Sequence, residues 1–249
     1  MSDPWGLEGA TVAITGASTG IGAALTDAFL DSGAIVLGIS RSPDKHSTTS
    51  PNYRTYAVDL SVRSETEALI DAMKADHERI DVLINNAGHA LRAPSVDYPM
   101  DDWDRLIELN LTAPFLLSRG LAPPMLHRGA GKVIFTASLW SFLGGRRVPA
   151  YTVTKSGIAG MIRALSNEWA PQGVQVNGIA PGYIDTDLTR PAINDPEIGP
   201  AFLARIPAGR WGEPQDVAGA ALFLASPHSA CSTGSSVPGG GGWLGPGRG

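Results

Sequence analysis

Short runs of consecutive apolar residues alternate along the chain with longer stretches whose apolar positions recur at helical spacing. The first kind predicts strands buried on both faces, the second amphipathic helices. "TVAIT" (11–15) leads into the helical "GIGAALTDAFLDSG", which Gly33 stops. "AIVLGIS" (34–40), the polar loop "RSPDKHSTTSPN" and "YRTYAV", ending at Asp59, come next. "SETEALIDAMKADHE" reads as a helix and "DVLINNAG" as a buried strand running into a turn. A further helix starts near "MDDWDRLIELN", with acids in its first turn, where the helix dipole favours them. "GKVIFTAS" is another strand, and "YTVTKSGIAGMIRALSNEWA" is the longest helical pattern, stopped by Pro171 and Gly173. "VQVNGIAPG" makes a sixth strand, and "PQDVAGAALFLAS" a late helix with proline at its start. This order predicts an α/β fold, a single doubly wound parallel sheet with helices on both faces, in one domain spanning 1–249.

Residues 189–212, "TRPAINDPEIGPAFLARIPAGRWG", interrupt the pattern with four prolines and no clean strand. They follow the sixth strand, where such sheets bind ligands. Two readings stay open: a lid over a substrate, or a packed surface excursion.

Composition narrows the class. The chain has 249 residues, 43% hydrophobic and 17% charged, enough for a full core without staples. Its formal net charge is -5, with no Lys/Arg run to follow a phosphate backbone, so no nucleic-acid partner is expected. The N-terminus lacks the basic and apolar regions of a signal peptide, and no stretch approaches the ~18 apolar residues of a membrane span. With Cys231 alone, no internal disulfide can form. These features predict a soluble, cytoplasmic protein with no membrane partner, and no metal site is expected.

Two stretches carry candidate chemistry. "TGASTGIG" (15–22) joins the first strand to the first helix. Gly16, Gly20 and Gly22 allow a sharp turn and let a pyrophosphate approach backbone N–H groups at a helix N-terminus. The spacing is GxxxGxG, and no GK[ST] follows, which argues against a nucleotide-hydrolysing P-loop. At the end of the second strand, Ser40 stands where an acid would bind a ribose 2′-hydroxyl, and Arg41 follows. Arg41, helped by Lys45, favours NADP(H) over NAD(H); a solvated loop arginine is the plain alternative.

The second stretch is "YTVTK" (151–155). Tyr151 and Lys155 are i and i+4 on one helix, so they share a face. A free phenol ionises near pH ~10 and a free lysine near ~10.4. A neighbouring ammonium favours phenolate, and an oxidised nicotinamide adds a second positive charge, so the pair is expected to lower the Tyr151 pKa towards working pH. Ser138, at the end of the preceding strand, adds a third polar group.

Together, "TGASTGIG", "NNAG" (85–88), Asn110 in "ELNLT", Ser138, "YTVTK" and "PGYIDT" (181–186) resemble the classical short-chain dehydrogenase/reductase family in order and spacing, from about residue 7 to 225. The resemblance implies a Rossmann-type fold, a nicotinamide cofactor, a small-molecule ketone or alcohol substrate and a homotetramer. It implies Tyr151 as acid/base, Lys155 as its activator, Ser138 as the group orienting the carbonyl, and Asn110 as the holder of a water beside the lysine. Around the cofactor it implies Asp59 and Leu60 at the adenine, and Asn86, Ala87 and Gly88 at the adenosine ribose side. Ser18, Thr19 and Ile21 complete the glycine turn, and Pro181, Gly182, Ile184 and Thr186 lie along the nicotinamide and phosphates.

Within that family, "SFLGGRRVPAYT", "NEWA", "IAPGYI" and "RIPAGRWG" resemble sugar-acid dehydrogenases of the keto-deoxy-gluconate or gluconate type. The substrate candidates are therefore Arg147 and Arg92 for a carboxylate, with His89 and Trp140 lining the pocket. For each of these four a surface, turn or packing role stays open. A general carbonyl or 3-oxoacyl reductase is the alternative enzyme, and a cofactor-sensing binding protein the alternative outside catalysis. One departure stands out: the chain ends "SSVPGGGGWLGPGRG", where the family carries a strand reading like V-D-G-G-W. Pro238, Gly239 and Gly240 predict a shortened last strand and a loosely ordered Gly-rich tail over 238–249.

Overall fold

The computed structural model describes residues 3–245; the last four residues of the Gly-rich tail lie outside the described residues. Seven strands form one sheet in the order β3-β2-β1-β4-β5-β6-β7. They are β1 (Thr11–Thr15), β2 (Ile35–Ser40), β3 (Tyr53–Ala57), β4 (Val82–Asn85), β5 (Gly131–Thr136), β6 (Val174–Pro181) and β7 (Ser236–Gly239). Every neighbouring pair is parallel. The order reverses between β1 and β4, which opens a crevice at the carboxyl ends of those strands.

Period-two alternation divides each central strand between two cores. Ala13, Leu83, Val133 and Phe135 face one side, where helices α2 (Arg63–Asp76), α4 (Ala113–Arg128) and α5 (Pro149–Trp169) cover them. Val12, Ile14, Val82, Ile84 and Ile134 face the other, under α1 (Gly20–Asp31) and α8 (Gln215–Ala225). Side chains such as Phe29, Phe135 and Leu117 are fully buried, each worth about 1.5–3 kcal/mol of transfer free energy. The predicted strands and helices of this sheet are all present, although β5 ends at Thr136, so Ser138 sits just beyond it.

Three features depart from the periodic reading. A short helix α3 (Met100–Ile107) runs into α4 through a single π-helical turn, Glu108–Thr112, which carries Asn110. The segment 189–212 forms two short helices, α6 (Arg190–Ile193) and α7 (Ile198–Leu203), and returns to the loop after β6 through an isolated parallel bridge between Ile184 and Gly212. The third departure is the tail. β7 is short, as expected, and pairs Ser236 to Gly239 with Gly178 to Pro181. Beyond β7 lies the rest of the tail, described as far as residue 245. It folds back and buries Trp243 among Leu139, Ile206, Tyr183 and Phe202. Burial of a large indole is the physical reason that a glycine-rich segment keeps one path.

Candidate active site

A cleft of about 310 Å³ opens where the strand order reverses. One wall is the glycine turn between β1 and α1. Thr19 precedes α1 in an extended conformation and its side chain makes no capping bond, leaving the first helical N–H groups available at the cleft. Gly22 lets the helix start press onto the turn: a Cβ there would stand 1.9 Å from the Gly16 carbonyl oxygen. Thr26 locks the arrangement by donating its hydroxyl to the Gly22 carbonyl at 2.9 Å and the Ala17 carbonyl at 3.3 Å.

At one end of the cleft lie Ser40, Arg41, Ser42 and Lys45. No carboxylate among the described residues forms an ion pair with Arg41. Asp59 and Leu60 line the neighbouring side. Burial opposes ionisation of Asp59, but hydrogen bonds from Ser61 and the charges of Arg41 and Arg105 hold its carboxyl below the ordinary range. Arg105, on α3, borders the cleft and stands 4.0 Å from the Asp59 carboxylate. No sequence motif singled it out.

The "NNAG" loop is held by cross-strand bonds. The Thr15 hydroxyl accepts from the Asn86 and Ala87 N–H groups, each at 2.9 Å. The Asn86 side chain donates to the Thr15 carbonyl at 3.1 Å and accepts from the Thr136 hydroxyl at 3.1 Å. Asn86 thus borders the cleft with its amide committed to tying β1, β4 and β5 together. Buried Asn110 grips the next residues: its Oδ1 accepts the His89 N–H at 3.0 Å and its Nδ2 donates to the His89 carbonyl at 2.8 Å. A π turn places one extra residue in the helix, and such turns recur at functional sites.

At the other end, α5 brings Tyr151 and Lys155 to the cleft. Lys155 is 4% exposed. Its Nζ donates to the Thr136 carbonyl at 2.6 Å and lies 5.5 Å from the centroid of the Tyr151 ring. Burial lowers the Lys155 pKa to about 8. Burial also pushes the Tyr151 phenol above its ordinary range, against an opposing hydrogen bond with Ser138. This corrects the expected direction for the chain's own groups alone: desolvation of the phenol outweighs the Ser138 hydrogen bond. Ser138 is joined to the same helix through Ser141, whose hydroxyl accepts the Ser138 N–H at 3.2 Å and donates to the Lys155 carbonyl at 2.7 Å.

The remaining candidates divide. Ser18, Thr19, Ile21, Ala87, Gly88 and Thr186 border the cleft, and so does His89, which was expected at the substrate. Burial, then the charges of Arg105 and Arg41, lowers the His89 pKa. Pro181 ends β6 and Gly182 follows it beside the tail, where the Gly182 N–H donates to the Gly239 carbonyl at 3.0 Å. Ile184 is buried, and its carbonyl accepts the Thr189 hydroxyl. Trp140 packs beside the Ser138 turn and does not border the cleft; its backbone N–H donates to the Ser138 hydroxyl at 3.3 Å. Arg92 and Arg147 are brought together by their backbones, since the Ala93 N–H donates to the Arg147 carbonyl at 2.9 Å. Arg147 holds φ at 65°, the one left-handed non-glycine among the described residues. Such strain persists where surrounding contacts enforce it. Among the described residues no cluster of His, Cys, Asp and Glu is placed to hold a metal ion, and no helix is long and apolar enough to cross a membrane.

Known proteins resemble this chain in sequence and in fold. The family profile described as enoyl-(acyl carrier protein) reductase matches residues 16–243. A 2-dehydro-3-deoxy-D-gluconate 5-dehydrogenase from Pseudoalteromonas atlantica is 43% identical, over 98% of this chain and 100% of its own length. The solved structure of a candidate NAD(P)-dependent gluconate 5-dehydrogenase from Beutenbergia cavernae, with NADP bound at low occupancy, superposes with a TM-score of 0.92 at 38% identity, covering 97% of this chain and 99% of that one. A gluconate 5-dehydrogenase from Burkholderia cenocepacia, in complex with NADP and tartrate, gives a TM-score of 0.89 at 33% identity, covering 97% of each chain. Likeness of this extent, in sequence and in fold alike, shows that the chain belongs to the short-chain dehydrogenase/reductase family.

Proposed function

We propose that this chain is an oxidoreductase that uses NADP(H) in preference to NAD(H) and interconverts a secondary alcohol and a ketone on a sugar acid of the gluconate or keto-deoxy-gluconate type. One observation carries the reading: a single cleft joins the glycine turn and Arg41 to Tyr151 and Lys155. Its geometry fits a nicotinamide dinucleotide, with uncapped N–H groups at the start of α1 open to the phosphates. The full-length relatives named above support the sugar-acid class.

When bound, the nicotinamide supplies the hydride chemistry. The chain handles the proton. Ser138 donates a hydrogen bond to the substrate oxygen, and Tyr151 Oη delivers a proton to it in reduction or removes one in oxidation. Burial keeps Tyr151 protonated, which suits it as the acid of carbonyl reduction. Lys155, held by the Thr136 carbonyl, keeps positive charge against the ring. Asn110 fixes the His89 backbone and so one part of the cleft wall. Residues 189–212 act as a lid. The protein works in the cytoplasm as a homotetramer, and exposed Phe115 on α4 and Val153 on α5 suit burial between subunits.

Turnover tests the reading. With NADPH and NADH assayed separately, gluconate-type acids are expected to react and NADPH to bind more tightly; turnover of apolar ketones or 3-oxoacyl thioesters alone overturns the substrate class. Arg41→Ala is expected to raise KM for NADPH about tenfold or more, the worth of a charged hydrogen bond, and to leave KM for NADH nearly unchanged. In the reductive direction kcat/KM is expected to fall as pH rises through about 8, because neutral Lys155 no longer supports the tyrosine. Lys155→Arg, which stays charged, should abolish that limb in whatever activity remains.

A further inference from the structure

We propose that Arg205, seated on the ring of Trp243, is a specificity-determining residue whose guanidinium takes the carboxylate end of the substrate. The inference rests on the sugar-acid reading above and names the group that recognises the acid.

The glycine-rich tail supplies the geometry. After β7 the chain passes so close to its neighbours that side chains would not fit. A Cβ on Gly240 would stand 2.8 Å from Leu139 Cδ2, and one on Gly241 2.8 Å from Ile206 Cγ2. The Ala208 N–H donates to the Gly241 carbonyl at 3.0 Å. This backbone therefore lies between Leu139, which directly follows Ser138, and the segment carrying Arg205. It delivers Trp243 beneath the guanidinium, whose central carbon is 4.1 Å from the ring.

Tyr183 packs in the same cluster as Leu139, the residue after Ser138. Its ring lies 4.9 Å from that of Trp243 and 4.7 Å from that of Phe202, centroid to centroid. Burial raises the Tyr183 pKa to about 12; the charges of Arg205 and Arg92 pull against that rise, and Tyr151 adds to it. Both arginines thus lie close enough for their charges to act on one phenol, as does Tyr151. Arg205 is exposed, and no carboxylate among the described residues pairs with it. A guanidinium stacked on an indole keeps its donor edge free, and that fork matches a carboxylate in two parallel bonds. Stacking also orients the side chain before substrate arrives, so less freedom is lost on binding.

The test compares wild type, Arg205→Met, Arg205→Lys and Trp243→Leu on D-gluconate and keto-deoxy-gluconate, on neutral polyols and ketoses lacking the carboxylate, and on NADPH. Arg205→Met is expected to raise KM for the reactive acid about ten- to a hundredfold, with kcat, neutral-substrate kinetics and KM for NADPH unchanged. Arg205→Lys should recover only part of the loss, since lysine offers a point charge without the fork. Trp243→Leu should shift the same constant by a smaller factor. A general structural effect would move the neutral substrates and NADPH as well, and that result, or an unchanged acid KM in Arg205→Met, overturns the inference while leaving the sugar-acid reading intact. A wild-type enzyme that turns over no sugar acid overturns that reading, and this inference falls with it.

Discussion

Tyr151→Phe is expected to reduce kcat/KM by about 10²–10⁴-fold, the range spanned by loss of a positioned acid/base, with NADPH affinity close to wild type. At about 1.4 kcal/mol per decade this amounts to roughly 3–5.5 kcal/mol of transition-state stabilisation. The substitution removes one oxygen and keeps the ring. Packing against Lys155, 5.5 Å from the ring centroid, is retained, and the Lys155 bond to the Thr136 carbonyl does not involve the phenol. The loss should therefore appear in kcat more than in cofactor binding. Steady-state kinetics with a fluorescence titration of NADPH separates the two. A variant that kept most of its turnover would show that the proton travels by another route, and the chemistry assigned to the cleft would be wrong.

Gly22→Ala is expected to act at the opposite end of the cleft and through the backbone. The added methyl would meet the Gly16 carbonyl oxygen at 1.9 Å and the Asn86 amide nitrogen at 2.8 Å. Neither can yield cheaply, because Thr26 binds the turn to the helix and Asn86 is tied to Thr15 and Thr136. Overpacking of this kind costs about 1–3 kcal/mol. The displaced turn also loses its alignment with the start of α1, so NADPH affinity should fall about tenfold or more. Thermal unfolding with and without NADPH reads both effects: a lower Tm for the free protein and a smaller cofactor-induced rise. An unchanged cofactor-induced rise would mean that the phosphates do not rest on this turn.

Much of the fold was legible because its signals are local. Consecutive apolar residues such as "TVAIT" can be buried only between two layers, and the i, i+4 spacing of Tyr151 and Lys155 needs nothing beyond one helix to place them together. The glycines of 15–22 likewise announce a turn from strand to helix, and Gly239 and Gly240 announce a short final strand. Less legible were features that depend on which distant segment comes alongside. The π turn at Asn110 appears as ordinary helical spacing in "ELNLT", because its purpose, gripping the His89 backbone, involves a loop twenty-one residues earlier. Arg105 carries no motif, yet α3 lays it beside Asp59.

The sequence by itself determined the alternation of strands and helices, the single parallel sheet, the glycine turn and the tyrosine–lysine pair, since each is written in the spacing of near neighbours. Only the tertiary structure decided the sign of the Tyr151 pKa shift, the hold of Thr136 on Lys155, and the path that carries Trp243 back to Arg205. Periodicity records which face of an element is apolar. How dry a side chain becomes, and which partner meets it there, depends on segments far apart in the chain closing over it.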